Sequence, residues 1–168
     1  PIINMQAERE DIIRELTGSF APFGIKKKAV SDAYVLAERA QEDFFTAIGS
    51  KGHEIISSIR DKTVVVVGRP YNSFDSGVNL DIPKKLSDLS VLAMPMDFLP
   101  ASSIRIDDRW QNMYWKSGQR ILKAARFIKE NPHLYAIYIG NFSCGPDSFI
   151  LRYFKEEMSE KPFLQIEI

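Results

Sequence analysis

From residue 62 onward, short apolar runs alternate with amphipathic stretches along the chain. Residues 63–67 are continuous, β-branched and bounded by polar positions, which is typical of a strand buried on both faces of a parallel sheet. Further short apolar runs predict three more strands, at residues 91–94, 134–139 and 162–168. Apolar positions at three- and four-residue steps predict the helices between them, at residues 78–89, 110–130 and 148–159.

Strands that alternate with helices predict a parallel sheet with right-handed crossovers. The commonest open arrangement has the strand order 2-1-3-4, which makes the first and third strands neighbours. We therefore predict a three-layer α/β fold with an open parallel sheet of about four strands. The loops that follow the first and third strands, residues 68–77 and 140–148, would then face each other across one crevice.

The first third of the chain has helical periodicity. Residues 6–20 and 29–60 place apolar side chains on one side of each predicted helix, and Gly49 and Gly52 are expected to interrupt the second. This pattern predicts an N-terminal helical extension. We therefore divide the chain into an N-terminal helical segment, residues 1–60, that packs on an α/β domain, residues 61–168.

Composition and charge narrow the classes of function. The chain has 168 residues, and its 22 basic and 22 acidic side chains leave no basic excess for nucleic acid. No apolar run approaches the roughly 20 residues of a membrane helix, and no signal peptide is visible. A single cysteine cannot form an internal disulfide, which predicts a reducing, cytoplasmic setting.

The turn after the third predicted strand contains that cysteine, in the sequence Gly-Asn-Phe-Ser-Cys-Gly-Pro-Asp-Ser (140–148). Pro146 suits the first turn of the next helix, whose free N–H groups would favour an anion or a thiolate. Cys144 is then a candidate nucleophile or metal ligand, or alternatively a small packing residue. The other candidate binding residues of this turn are Asn141, Ser143, Gly145, Asp147 and Ser148.

The first strand is followed by Gly-Arg-Pro-Tyr-Asn. Arg69 could hold a phosphate or carboxylate with two hydrogen bonds, Tyr71 could stack on a ring, and Asn72 could hydrogen-bond to it. Alternatively, Arg69 pairs with Asp75 or Asp147, and that pair could itself belong to the site. The glycine spacing matches neither a Walker A loop nor the dinucleotide-binding fingerprint.

Three aromatic side chains begin the helix predicted from residue 110. Trp110 and Tyr114 would share one face of that helix, with Trp115 beside them. Aromatic residues at helical spacing are usually buried, so we expect core or domain-contact packing; an exposed patch is the alternative. The chain has no G-x-S-x-G sequence and two histidines, which gives little support to hydrolase chemistry.

Residues 68–71 (Gly-Arg-Pro-Tyr), 140–149 (Gly-Asn-Phe-Ser-Cys-Gly-Pro-Asp-Ser-Phe) and 161–168 (Lys-Pro-Phe-Leu-Gln-Ile-Glu-Ile) carry a resemblance. The chain resembles, over about residues 60–168, the large bacterial CoA-substrate-specific enzyme activases, which are related to the 2-hydroxyacyl-CoA dehydratase system. The resemblance implies a flavodoxin-like α/β unit of the dehydratase-subunit type.

Dehydratase subunits of this kind hold an iron–sulfur cluster through several cysteines, and a separate ATP-dependent activase delivers electrons. The resemblance therefore implies that Cys144 is a cluster ligand in the intact protein. A [4Fe–4S] cluster usually needs four ligands, so we expect none in this chain alone. Asn72 stands where the resemblance leads us to expect a histidine. The motifs of the activase ATPase are absent.

We expect this chain to be a fragment of a longer protein, because it lacks an initiator methionine and ends in a strand-like run. The resulting hypothesis is a domain that contributes to a cluster or acyl-CoA site in reductive, radical dehydration. Its expected partners are the rest of the parent polypeptide and acyl-CoA dehydratase components, with neither nucleic acid nor membrane, and the fragment alone is expected to be inactive. The alternative is a non-catalytic small-anion-binding or docking module.

Overall fold

A computed structural model describes residues 3–4, 7–101 and 103–168 of the chain. The protein divides into two compact units, Pro1–Ala47 and Ile48–Ile168. How the N-terminal segment packs on the α/β domain stays a prediction. Within the described residues, no helix is both long and apolar enough to cross a membrane.

The N-terminal unit consists of helix α1 (Arg9–Phe20), a 3₁₀ turn and the first part of helix α2 (Lys27–Ser58). The predicted start of the first helix at residue 6 lies outside the described residues. The two glycines predicted to interrupt the long helix do not do so, because α2 is continuous through Gly49 and Gly52. Gly52 is instead buried where the Phe98 backbone approaches closely.

The second unit is built on four parallel strands in the order β2-β1-β3-β4, as predicted. Val65 of β1 pairs with Met94 of β2 and Ala136 of β3, so the central strand is hydrogen-bonded on both sides. The parallel α/β fold and its strand order are therefore confirmed. The strands are β1 (Thr63–Gly68), β2 (Leu92–Pro95), β3 (Leu134–Gly140) and β4 (Phe163–Glu167).

The helices of this unit are α3 (Pro70–Phe74), α4 (Ile82–Asp88), α5 (Lys116–Glu130) and α6 (Gly145–Met158). Two of these helices begin later than predicted. The helix expected from residue 78 begins at Ile82, because Leu80 and Asp81 both adopt φ near 55°, a conformation that does not continue a right-handed helix. The helix expected from residue 110 begins at Lys116.

The segment before α5 forms a 3₁₀ turn, Asp108–Trp110, followed by an irregular stretch. The Asp107 carboxylate caps this turn by accepting the Arg109 N–H at 2.9 Å, and the Trp110 N–H bonds the Asp107 carbonyl at 2.8 Å. Trp110 and Tyr114 therefore do not share the face of a helix, contrary to the prediction.

Side chains of β1 alternate between two apolar layers. Val65 and Val67 belong to the larger core, with Ile121 of α5 and Phe154 of α6. Val66 belongs to a smaller cluster on the other face, which Ile82 and Leu86 of α4 cover in part. Helices thus lie on both faces of the sheet, which is the predicted three-layer arrangement.

Candidate functional site

The loops after β1 and β3 meet at the carboxyl edge of the sheet through an ion pair. Gly68 and Ile139 are register partners, so the residues that follow them leave the sheet side by side. Arg69 Nη2 donates to Asp147 Oδ2 at 3.0 Å, and Arg69 Nε lies 2.8 Å from Oδ1. Their side chains are 19% and 5% exposed. Of the two partners considered for Arg69, the structure selects Asp147.

This ion pair is largely withdrawn from water. Burial disfavours the charged form of Arg69, but the hydrogen bond and charge of Asp147 outweigh burial and raise the pKa of Arg69. The Nε–Oδ1 approach is off the line of a hydrogen bond, so Nε is buried without an acceptor in the described part of the chain. Asp147 therefore acts on Arg69 as one hydrogen bond plus a close opposite charge.

Two further predicted residues complete this cluster. Arg69 Nη2 lies 2.9 Å from Cys144 Sγ and 3.3 Å from Asn141 Oδ1, while the Asn141 N–H donates to Asp147 Oδ2 at 2.8 Å. Cys144 is the N-cap of α6, which begins at Gly145, three residues before the predicted start, and has Pro146 in its first turn as predicted. Its thiol is half-buried beside a cation, an environment that reactive and metal-binding cysteines occupy. Its role as a ligand stays a prediction.

Tyr71 and Asn72 differ in accessibility. Tyr71 is 45% exposed, and its ring centroid lies 4.7 Å from Arg69 Cζ. Partial burial, more than any charge, raises the pKa of Tyr71. Asn72 is fully buried and donates from Nδ2 to the Ile139 carbonyl at 3.2 Å, which ties α3 to β3. Its place inside the fold means that a ligand would contact it only after a rearrangement.

The other predicted residues lie along the turn into α6. Ser143 is exposed and adopts φ 57°, and Ser148 is exposed with its N–H bonded to the Cys144 carbonyl at 2.9 Å. Gly145 is exposed at the first position of α6. Ligand binding by these residues stays a prediction.

A groove with a cavity volume of about 640 Å³ opens beside this cluster. Arg69 forms one end of its lining, and Gly145 and Pro146 contribute the N-terminus of α6. From the two predicted loops the groove takes these three residues, and the rest of its wall comes from the irregular segment before α5 and one side of α6. The other lining residues are Arg109, Trp110, Asn112, Met113, Tyr114, Trp115, Phe149 and Tyr153.

Aromatic rings dominate the groove wall. Trp110 packs edge-to-face on Tyr153 with centroids 4.9 Å apart, and Tyr153 packs in the same way on Phe149, also at 4.9 Å. Trp110 and Trp115 are half-buried against the main core, whereas Tyr114 is 92% exposed. The prediction of core packing therefore holds in part for the two tryptophans and is wrong for Tyr114.

A buried carboxylate supports this wall from behind. Glu157 is 2% exposed and accepts from Trp110 Nε1 at 3.0 Å, Arg109 Nη2 at 3.1 Å and Lys129 Nζ at 3.2 Å. Neither Glu157 nor Arg109 was among the predicted site residues. A signal was present for Glu157, because it lies on the same side of α6 as the buried Ile150 and Phe154, seven and three positions before it.

Arg109 is also held from its own segment. Asp107 Oδ1 accepts from both the backbone N–H and Nε of Arg109 at 2.9 Å. The side-chain hydrogen bond, followed by the backbone one, lowers the pKa of Asp107 to about 2. Two carboxylates thus fix the Arg109 guanidinium at the rim of the groove, next to the Trp110 ring at 4.9 Å.

Comparison with known protein families finds a match for this chain. The family described as CoA enzyme activase uncharacterised domain (DUF2229) matches residues 1–99, more than half of the chain. The chain belongs to this CoA enzyme activase domain family. This result confirms the predicted relation to the activases, although the match contains the Gly-Arg-Pro-Tyr sequence and ends before the cysteine-containing turn. No curated protein and no solved structure matches the chain.

The described residues of this activase-family domain do not supply the full ligand set of the iron–sulfur cluster that the resemblance implies for the intact protein, and that cluster stays a prediction. Within the described residues, no group of three or more histidine, cysteine or acidic side chains could hold a metal ion. Cys144 is the one cysteine of the sequence, whereas a [4Fe–4S] cluster usually has four ligands. A cluster at this edge of the sheet would need thiolates from other chains or segments.

Proposed function

We propose that this domain contributes an acyl-CoA-binding surface to a larger activase- or dehydratase-related iron–sulfur protein of the bacterial cytoplasm. The observation that carries the proposal is the groove, which combines two guanidinium groups with aromatic walls at the carboxyl edge of a parallel sheet. Ligands of open α/β proteins bind at this edge. Membership of the CoA enzyme activase domain family supports CoA as the ligand.

The two arginines of the groove can bind an anion without leaving their present partners. The hydrogen bonds of the described residues use Nε or Nη2 of Arg109 and Nη2 of Arg69, but Nη1 of neither. Each guanidinium thus keeps donors for a phosphate or carboxylate while a carboxylate behind it holds its orientation. Arg69 is the predicted anion contact, and Arg109 adds a second one.

The residues that line the groove favour ligand binding over catalysis by this domain alone. Among the described residues, no histidine, carboxylate or thiol lines it. Reductive dehydration would depend on a cluster held by the rest of the parent protein or by dehydratase components, with Cys144 as a ligand or redox thiol there. We therefore propose that the isolated chain binds ligand without catalysing the reaction.

A thermal-shift titration with CoA and acetyl-CoA tests the proposal. We expect both to raise the melting temperature, and Arg69→Ala and Arg109→Ala to weaken binding. Arg152→Ala is the control, because Arg152 is an exposed α6 arginine outside the groove lining. Equal binding by all variants, or no binding by the unaltered domain, would contradict it. Iron content of the parent protein with and without Cys144→Ala tests the ligand role separately.

One observation favours a second candidate function, a non-catalytic docking module. Tyr114 is 92% exposed and Phe149 is 52% exposed, so large aromatic rings at the groove meet water. Such surfaces mark sites of protein association. No response to CoA, together with loss of association with the parent protein in Tyr114→Ser, would favour docking over ligand binding.

A further inference from the structure

We propose that the groove takes the adenine nucleotide end of its ligand, with the purine on the Trp110–Tyr114–Trp115 wall and phosphates on Arg109 and Arg69. This inference rests on the proposed function only in naming CoA as the source of that nucleotide. ADP and CoA share the chemistry, which is a purine ring with a 5′-diphosphate, and the experiment below separates them.

The aromatic side of the groove is suited to a flat ring. Trp110 is fixed on two sides, since its Nε1 bonds Glu157 at 3.0 Å and its ring packs on Tyr153 at 4.9 Å. Tyr114 has 92% of its surface in water, so its ring has almost no protein neighbours and is available to a ligand. Stacking of a base on one such ring typically strengthens binding about 5- to 150-fold.

The charged side of the groove is suited to a diphosphate. Its lining contains two guanidinium groups and, among the described residues, no carboxylate. The acidic side chains that contact them are Asp147 at Arg69 and Asp107 and Glu157 at Arg109, and these hold the guanidiniums rather than line the cavity. The N-terminus of α6 adds a partial positive charge at Gly145.

The reacting end of an acyl-CoA has no comparable match in this groove. A thioester undergoing chemistry needs a base, a nucleophile or a metal at its carbonyl, and none of these lines the cavity in the described part of the chain. The pantetheine arm is a flexible chain without rings or charges, so it would use neither the aromatic wall nor the arginines. The nucleotide end uses both, and the acyl end would then extend out of the groove toward other parts of the parent protein.

Intrinsic tryptophan fluorescence reads out this groove directly. The sequence has two tryptophans, Trp110 and Trp115, and both line the cavity. The domain is titrated with adenosine 3′,5′-bisphosphate, ADP, CoA and 4′-phosphopantetheine, with excitation at the red edge of indole absorption. We expect quenching by the three adenine compounds and none by phosphopantetheine. Tighter binding of CoA than of ADP would identify CoA as the source of the nucleotide.

Variants at exposed positions separate a binding role from a folding role. Arg109→Ala should weaken adenosine 3′,5′-bisphosphate binding about 10- to 100-fold, the usual effect of losing a hydrogen bond from a charged group. Arg152→Ala, which removes an exposed arginine outside the lining, should leave it unchanged. Tyr114→Ala should weaken binding and Tyr114→Phe should restore it, because stacking needs the ring and not the hydroxyl.

The outcomes distinguish this inference from the proposed function. Binding of CoA and phosphopantetheine, without quenching or binding by ADP or the bisphosphate, would overturn the nucleotide assignment and leave the CoA site standing. Binding of ADP and bisphosphate without CoA would support the nucleotide groove and overturn CoA as its ligand. Absence of binding by every adenine compound would overturn both.

Discussion

The buried ion pair between the two loops gives the sharpest test of how the site is held. Asp147→Asn removes the charge but keeps an amide oxygen that can still accept from the Asn141 N–H and Arg69 Nη2. Arg69, 19% exposed, is then left with its charge largely uncompensated. Breaking a fully buried pair from one side costs about 3–5 kcal/mol, and because Arg69 is partly exposed we expect a smaller loss, about 2–3 kcal/mol.

The assay is urea unfolding followed by tryptophan fluorescence, which reports on the Ile48–Ile168 unit because both tryptophans belong to it. A lower unfolding midpoint with an unchanged slope would mean lost stability rather than a changed unfolded state. Glu156→Gln is the matched control on the same helix. It breaks an exposed ion pair in which the Arg152 side chain is 79% and the Glu156 side chain 42% exposed. This variant should change the free energy of unfolding by about 0.5 kcal/mol or less.

The double variant Arg69→Met/Asp147→Asn identifies the cause of the loss. If the cost of Asp147→Asn comes from an unpaired buried charge, removing Arg69 as well should recover most of it. The reasoning is refuted if the single variant is as stable as the Glu156→Gln control, or if the double variant is less stable than Asp147→Asn alone.

Three further predictions concern positions away from the ion pair. Gly49→Ala should stabilise the domain by about 1 kcal/mol through helix propensity, since no described atom beyond the adjacent residues and helix backbone lies within 4 Å of the added Cβ. Gly52→Ala should destabilise the domain because its Cβ would overlap the Phe98 backbone carbonyl, and comparing the two unfolding midpoints checks this. Tyr138→Phe should raise the free energy of unfolding by about 1 kcal/mol at neutral pH, because the Tyr138 hydroxyl is buried with no hydrogen-bond partner among the described residues. Burial also raises the pKa of Tyr138, so the wild type should lose further stability as pH rises above about 10, and the variant should not. Asp107→Asn should make stability fall less steeply at acid pH than in the wild type, because Arg109 lowers the pKa of Asp107 to about 2. The contribution of Asp107 to wild-type stability is present above pH of about 4 and is lost as pH falls toward 2. Melting temperatures of both proteins over this range measure the difference, and parallel curves would contradict it.

Local patterns in the sequence were sufficient to predict the strands and the parallel α/β class of the fold. Residues 63–67 have a continuous β-branched run, and both faces of the resulting strand are buried, as that pattern predicts. The strand order 2-1-3-4 was taken from the commonest open arrangement of such a sheet, and the structure confirms it. That order also placed Arg69 near Asp147, since adjacent parallel strands end at the same edge.

The groove was not predictable from the same patterns. Residues 110–130 have helical periodicity throughout, but contacts distant in sequence decide where the helix starts. Glu157 accepts from the Trp110 indole, 47 positions before it, and from Arg109, and this segment forms a 3₁₀ turn, so that α5 begins at Lys116. Because the helix starts later than predicted, Trp110, Tyr114 and Trp115 lie before it and line the groove instead of sharing a helix face.

Local periodicity, which depends on neighbouring residues, therefore determined the strands and the parallel sheet, whereas their order and the edge where the loops meet were taken from the commonest open topology and confirmed by the structure. The tertiary structure alone decided which partner Arg69 takes, that Gly52 lies against a backbone segment without a helix break, and that the buried Glu157 holds Arg109 at the groove. Those outcomes depend on pairs of side chains far apart in the chain, and a linear pattern contains no information about which of them come into contact.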